Sequence, residues 1–378
     1  MKRHIRLLAL LSALALVLAA CGGDDAGDGD TTTTTAAPAT TAAPDTTETT
    51  ADTPEETTTT AAPEAGGLIC EVTDVGGVDD RGFNASAWEG AQRAAEAFGA
   101  EARVLESQAE TDYEVNLNSF IDQECNLIVT VGFLLGDATL AAAEASPDTN
   151  FTIVDFAYEE PPANLKGLVF NTDEAAFLAG YLAAGVTETG VVGTFGGINI
   201  PPVTIFMDGF VRGVDHYNEV KGTSVEVLGW DPETQEGSFT NNFESLDDGR
   251  AFAQSLVDEG ADIVMPVAGP VGLGSAALAA ELGTFSIIGV DVDGFEADPN
   301  NSDVYLTSVL KRIDNAVFAA AESAFEGTFT NDLYVGTLEN EGVGIAPFHA
   351  QADRVPDELA AEIDELRQAI IDGEVAVN

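Results

Sequence analysis

The chain has 378 residues, 45% of them hydrophobic, and sets 65 Asp and Glu against 14 Lys and Arg for a net charge of −51. That is enough apolar material for the cores of two ordinary domains. So acidic a chain excludes a nucleic-acid partner, because counterion release from phosphates needs basic side chains, and the charge itself reads as solubility or adaptation to a salty medium.

The chain opens with Lys2, Arg3 and Arg6 and an apolar stretch from Leu7 to Leu18. This is the pattern of a secretory leader, short for a membrane span. Its end, Leu18-Ala19-Ala20-Cys21-Gly22, resembles the bacterial lipobox. Residues 1–20 are therefore read as a signal peptide, and Cys21 as a lipidated residue anchoring the protein on the outer face of the cell membrane. The other reading is an ordinary cleaved leader with an incidental cysteine. Residues 21–66 run through Thr31–Thr35, Thr57–Thr60 and repeated Ala-Ala-Pro with many carboxylates and no aromatic residue. Such a stretch cannot bury a core and is expected to be a disordered linker, with a reach of about 35 to 40 Å. Its threonines are open to glycosylation.

From residue 67 short apolar runs alternate with Ala-rich ones. Strands are predicted over Leu68–Val72, Arg103–Glu106, Leu127–Val131, Phe151–Asp155, Leu168–Asn171, Val191–Phe195, Val225–Gly229, Ile263–Val267, Ser286–Val290 and Val304–Ser308. Helices are predicted over Asn84–Phe98, Tyr113–Glu124, Leu135–Ala145, Asp173–Ala184, Gly209–Asn218, Asp247–Glu259, Leu273–Leu282, Asp314–Phe325 and Pro356–Ile371. The first helix is given a capping box at Ser86-Ala87-Trp88-Glu89. This alternation predicts an α/β fold of parallel sheets covered on both faces by helices, in two lobes. The first lobe is expected to hold residues 67–189 and 290–330, the second 190–289 and 331–378. In sheets of this kind ligands bind at the carboxyl ends of strands. Asp74, Asp79, Asp80, Phe83 and Asn84 stand at such an end, carboxylates to accept hydrogen bonds and a ring to stack. Cys70 and Cys125 fall in or beside strands that neighbour one another in a doubly wound sheet, and an exported chain can keep a disulfide; a bridge and two buried thiols both remain open.

Thr73-Asp74, Gly77, Asp80-Arg81-Gly82-Phe83-Asn84 and Ser86-Ala87-Trp88-Glu89-Gly90 resemble the first motif of the basic membrane protein (BMP) family of solute-binding lipoproteins, several of which are purine nucleoside receptors feeding ABC importers. The family usually has Asp-Lys-Ser-Phe-Asn where this chain has Asp-Arg-Gly-Phe-Asn. The resemblance runs to about Phe348 and implies the two-lobed, type I periplasmic-binding-protein fold with its ligand in the hinge cleft. It further implies a sugar-hydroxyl acceptor at Asp137, which otherwise reads as a helix cap, and a loop fixed by Gly196-Gly197 and Pro201-Pro202. Gly237-Ser238-Phe239 resembles a Gly-Ser-Phe motif whose ring would sandwich a base against Phe83, with Phe243 as rival because the following segment is long. Gly269 is implied as a cleft contact, Asp291 as an acceptor and Lys311 as a nearby donor. Gly272, Gly274 and Ala277 also fit a dinucleotide fingerprint, but late in the chain and away from a first βα turn.

The function implied is an extracytoplasmic receptor, expected to be a monomer, that binds a purine nucleoside and delivers it to ABC permease subunits, without cofactor or metal. A receptor for a sugar or other small solute is the alternative. An exported nucleoside hydrolase is a third reading, although the chain has no H-E-x-x-H or G-x-S-x-G motif.

Overall fold

The computed structural model describes residues 66–378; the leader, Cys21 and the linker lie outside the described residues. The first half builds β1 (Leu68–Thr73), α1 (Phe83–Phe98), β2 (Glu101–Leu105), α2 (Tyr113–Asp122), β3 (Leu127–Val131), α3 (Gly136–Ala145), β4 (Asn150–Val154), β5 (Leu165–Phe170) and α4 (Thr172–Val186). Then follow β6 (Val191–Gly196), α5 (Pro201–Lys221), β7 (Glu226–Leu228), β8 (Trp230–Asp231), β9 (Glu236–Gly237), α6 (Leu246–Asp258), β10 (Ile263–Val267), α7 (Val271–Leu282) and β11 (Ser286–Asp291). The chain ends with α8 (Gly294–Ala297), β12 (Tyr305–Lys311), α9 (Ile313–Phe325), β13 (Tyr334–Gly336), β14 (Val343–Ile345) and α10 (Asp357–Ile371).

The strands form two six-stranded sheets, β2-β1-β3-β4-β5-β13 and β7-β6-β10-β11-β12-β14, and a small ribbon of β8 with β9. Both large sheets are parallel except for β14, which runs against β12. Apolar runs such as Leu127–Val131 and Ile263–Val267 are buried at every position, as strands covered on both faces require.

Sheet membership corrects the expected lobe boundaries. β12 pairs with β11 and so lies in the second sheet, although 290–330 was read as a return to the first lobe. Of that stretch, α9 does return, packing along α1. Conversely β13 pairs with β5 of the first sheet, although 331–378 was read as second-lobe. Helix α4 packs on α5 and on β12 and β14, so the first crossing falls near Asn171 rather than near residue 189. The reason is that alternation of runs fixes order along the chain but not which edge a strand joins.

Two local readings also change. Helix α1 starts at Phe83, and its free amides are met by Asp80, whose carboxylate accepts from the N–H groups of Gly82, Asn84 and Ala85 at 2.9, 2.7 and 3.0 Å. The expected capping serine, Ser86, lies one turn inside and accepts instead from the N–H of Asp314. Helix α5 starts eight residues before the expected Gly209, because Pro201 and Pro202 occupy its first positions, where a missing N–H costs nothing. α4 is buried nearly all round and crosses α5 closely: a Cβ on Gly213 would stand 2.0 Å from the carbonyl oxygen of Phe177.

Cys70 of β1 and Cys125 are joined by a disulfide, Cα to Cα 6.1 Å, closing a sequence separation of 55 residues. Among the described residues no helix is long and apolar enough to cross a membrane.

Candidate functional site

The carboxyl ends of strands from both sheets meet around a cleft. From the first sheet come Asp74 after β1, Gly132 after β3 and Asp155 after β4. From the second come Gly269 after β10, Asp291 at the end of β11 and Lys311 at the end of β12. Rings of Phe83, Phe206 and Phe243 complete the walls. The site is thus apolar with a few converging charges, the usual make-up of a small-molecule pocket.

The first-sheet floor is held by Asn84. Its Nδ2 donates to Asp74 Oδ1 at 2.9 Å and to Asp80 Oδ2 at 3.1 Å. Asp74 Oδ1 also accepts from the N–H of Gly76 at 3.0 Å, while no donor among the described residues meets its Oδ2. Burial pushes Asp74 up to about 6 in spite of these bonds.

Lys311, one of three lysines beyond the leader and 3% exposed, carries its ammonium across the cleft to Asp155 Oδ2 at 2.6 Å. Asp291 Oδ1 stands 4.0 Å away. The same ammonium lies 4.8 Å from the centre of the Phe83 ring, 5.4 Å from that of Phe170 and 5.8 Å from that of Phe206, so three aromatic faces share its charge. Burial raises the Asp155 carboxyl although Lys311 opposes it, and lifts Asp291 to about 6 with Lys311 opposing and Asp155 adding to the rise. The Asp291 carboxylate has no hydrogen-bond donor among the described residues and faces the cleft. Asp155 and Asp291 both sit in the left-handed region, φ 70° and 68°, which turns a residue out of the strand direction. Non-glycine residues held there cluster at functional sites, and aspartate tolerates the conformation better than most.

Of the residues singled out in the sequence, Asp74, Phe83, Asn84, Gly269, Asp291 and Lys311 line this cleft. Gly269 has φ 54° and open space where a Cβ would stand, so it is glycine for its backbone. Asp137 does not line it: it lies exposed in the first turn of α3. Asp155, unremarked in the sequence, takes the position at the strand end instead; the signal was there, since FTIV-Asp155 ends an apolar run as Asp74 and Asp291 do. Phe239 packs edge-on against Trp230, centroids 5.8 Å apart, over Gly196, and the rival Phe243 is the ring on the cleft wall. Of the fingerprint-like glycines, Gly274 serves helix packing, because a Cβ there would stand 1.9 Å from the carbonyl oxygen of Leu246. Among the described residues no cluster of His, Cys, Asp and Glu is arranged to hold a metal ion.

A sequence profile of the Bmp family, described as "ABC transporter substrate-binding protein PnrA-like", matches residues 69–378. The chain is 33% identical over 307 residues to basic membrane protein A1 of Borrelia garinii subsp. bavariensis, covering 80% of this chain and 86% of the relative. It is 30% identical over 328 residues to the ABC transporter nucleoside-binding protein BmpA of Lactococcus lactis subsp. cremoris, covering 81% and 87%. Among solved structures, an ABC transporter solute-binding protein from Aeropyrum pernix K1 superposes with a TM-score of 0.73 at 27% identity, covering 82% of this chain and 93% of that one. The strand-end cleft, the profile match over the whole described body and these relatives agree: the chain belongs to the Bmp family, whose members are substrate-binding proteins of ABC transporters and not enzymes.

Proposed function

We propose that the protein is an extracytoplasmic, lipid-anchored receptor that closes on a purine nucleoside and presents it to the permease of an ABC importer. The observation that carries the ligand class is the pair of strand-end carboxylates, Asp74 and Asp291, with open acceptor oxygens between aromatic walls at Phe83 and Phe243. Hydroxyl and amino donors of a nucleoside match such acceptors, and a purine ring matches the aromatic faces. The nucleoside-binding relative in Lactococcus lactis supports the same class. Lys311 keeps cationic charge beside Asp291 and favours its ionised form for a ligand donor.

Calorimetric titration tests the reading. The described body, residues 66–378, contains both sheets, and after unfolding and refolding it is free of carried ligand. Adenosine, guanosine and inosine are expected to bind one to one, cytidine more weakly and ribose not at all. Silence from every nucleoside overturns the ligand class; binding of ribose alone makes the protein a sugar receptor. Lipid attachment at Cys21 is tested separately: labelled fatty acid enters the wild-type chain and not Cys21→Ala. Sedimentation of the body as a monomer, with and without inosine, is the expected state.

A further inference from the structure

Glu71 stands in the middle of β1 with no solvent exposure, and neither of its carboxyl oxygens has a hydrogen-bond partner among the described residues. Alternation along β1 puts Cys70 and Val72 in the core beneath α2 and α3, and Ile69, Glu71 and Thr73 on the other face, the one α1 covers. In register beside Glu71 are Val104 and Val129, neither of which offers a donor. A charged carboxylate so enclosed is prohibitive, whereas a neutral acid needs only an acceptor for its one proton.

Such an acceptor exists at the floor of the cleft. Asn84, on α1 and 1% exposed, spends Nδ2 on Asp74 and Asp80, and its Oδ1 is buried without any donor. Glu71 is on β1 and Asn84 on α1, elements that pack together, and two orphaned acceptors in one interface cannot satisfy each other unless one of them carries hydrogen. The charges around Glu71 favour that form. Burial first, and then the negative charge of Asp80, hold the carboxyl well above its usual range. Cations on the packed elements are engaged elsewhere, Arg93 of α1 with Asp314 of α9, and Arg103 of β2 with Glu101.

We propose that Glu71 is a neutral carboxylic acid that donates its proton to Asn84 Oδ1, and so acts as a positioning residue for the ligand cleft. The bond fixes the amide with its nitrogen toward Asp74 and Asp80, which leaves Asp74 Oδ2 free for ligand. The positioning role rests on the nucleoside reading of the cleft; the protonated state does not.

Infrared difference spectroscopy of the same body in D2O at pH 8, wild type minus Glu71→Gln, tests the protonation. A carboxylic-acid carbonyl band that Glu71→Gln removes is expected at this pH, where a solvated carboxyl is ionised, and its absence overturns the proposal whether or not any nucleoside binds. Inosine titration tests the positioning. Glu71→Gln, whose amide can still donate, is expected within about threefold of wild type. Glu71→Leu is expected to lose about tenfold or more in affinity with no fall in melting temperature, since it removes a buried acid while keeping the volume. Wild-type affinity in Glu71→Leu, or equal losses in both variants, overturns the positioning role. A wild-type body that binds no nucleoside sinks the ligand class instead, with the infrared band still deciding the proton.

Discussion

Asp291 and Asp155 show how differently two buried carboxylates at equivalent depth can behave. Asp155 is paired with Lys311, and Asp291 waits without a hydrogen bond. Replacing Asp291 by Asn should weaken inosine binding by about 1.5 to 3 kcal/mol, the worth of a hydrogen bond to a charged group, without lowering the melting temperature. Replacing the exposed Asp137 by Asn should change neither quantity. Lys311→Met strands Asp155 as a buried unpaired charge, and a loss of about 3 to 5 kcal/mol in urea unfolding is expected. The contrast between Asp137 and Asp155 also shows what could be read from the chain. An aspartate at a helix start and one at a strand end look alike in one dimension, and only the second is aimed at the cleft. Phe239 and Phe243 pose the same problem, because the hairpin of β8 and β9 that claims Phe239 for Trp230 has no apolar run to announce it.

Among the elements, those formed by long apolar or Ala-rich runs were legible to within a few residues, because their periodicity is dictated by burial on both sides. β13 and β14 were not, since each is three residues long and owes its strand geometry to the edge it joins. Legible too was the neighbourhood of Cys70 and Cys125, though not their state. The bridge closes a 55-residue separation that spans β1, α1, β2 and α2. Loop entropy assigns it about 4 kcal/mol. The Cys70→Ala, Cys125→Ala double variant should therefore unfold at markedly lower urea with an unchanged cleft, seen as unaltered inosine affinity below the transition. At the crossing of α4 and α5 the expected cost is steeper per atom. Gly213→Leu has only the backbone of Phe177 to push against, and should cost several kcal/mol by overpacking or leave the protein insoluble.

At the scale of the whole molecule the raised cleft carboxyls set stability and binding against each other. Asp74 and Asp291 titrate at about 6 in the folded chain and near 4 when unfolded. Their raised values contribute stability that is fully present below about pH 4 and is lost as pH rises through about 6, on the order of 3 kcal/mol per group. Relief of the net charge of −51 acts in the same direction. Binding should run the other way, because a protonated carboxyl has less to accept with. Between pH 5 and 7 the melting temperature of the ligand-free body is therefore expected to fall while its affinity for inosine rises. Parallel trends in the two would remove these carboxyls from ligand contact.

The left-handed aspartates have one more consequence. β4 and β11 are each the fourth strand of the same winding, and β5 and β12 each the fifth, followed by helices whose preceding residues, Asn171 and Arg312, share nearly the same backbone angles. The two halves repeat one another strand for strand up to this point. Asp155 and Asp291 obey that repeat, and Phe170 and Lys311 break it. Two lysines at the paired positions would repel each other, and two phenylalanines would leave both aspartates without a counter-charge. A nucleoside has a ring at one end and a sugar at the other, with no repeat of its own. A repeated frame receives such a guest only where its halves differ, and residues 170 and 311 mark that difference.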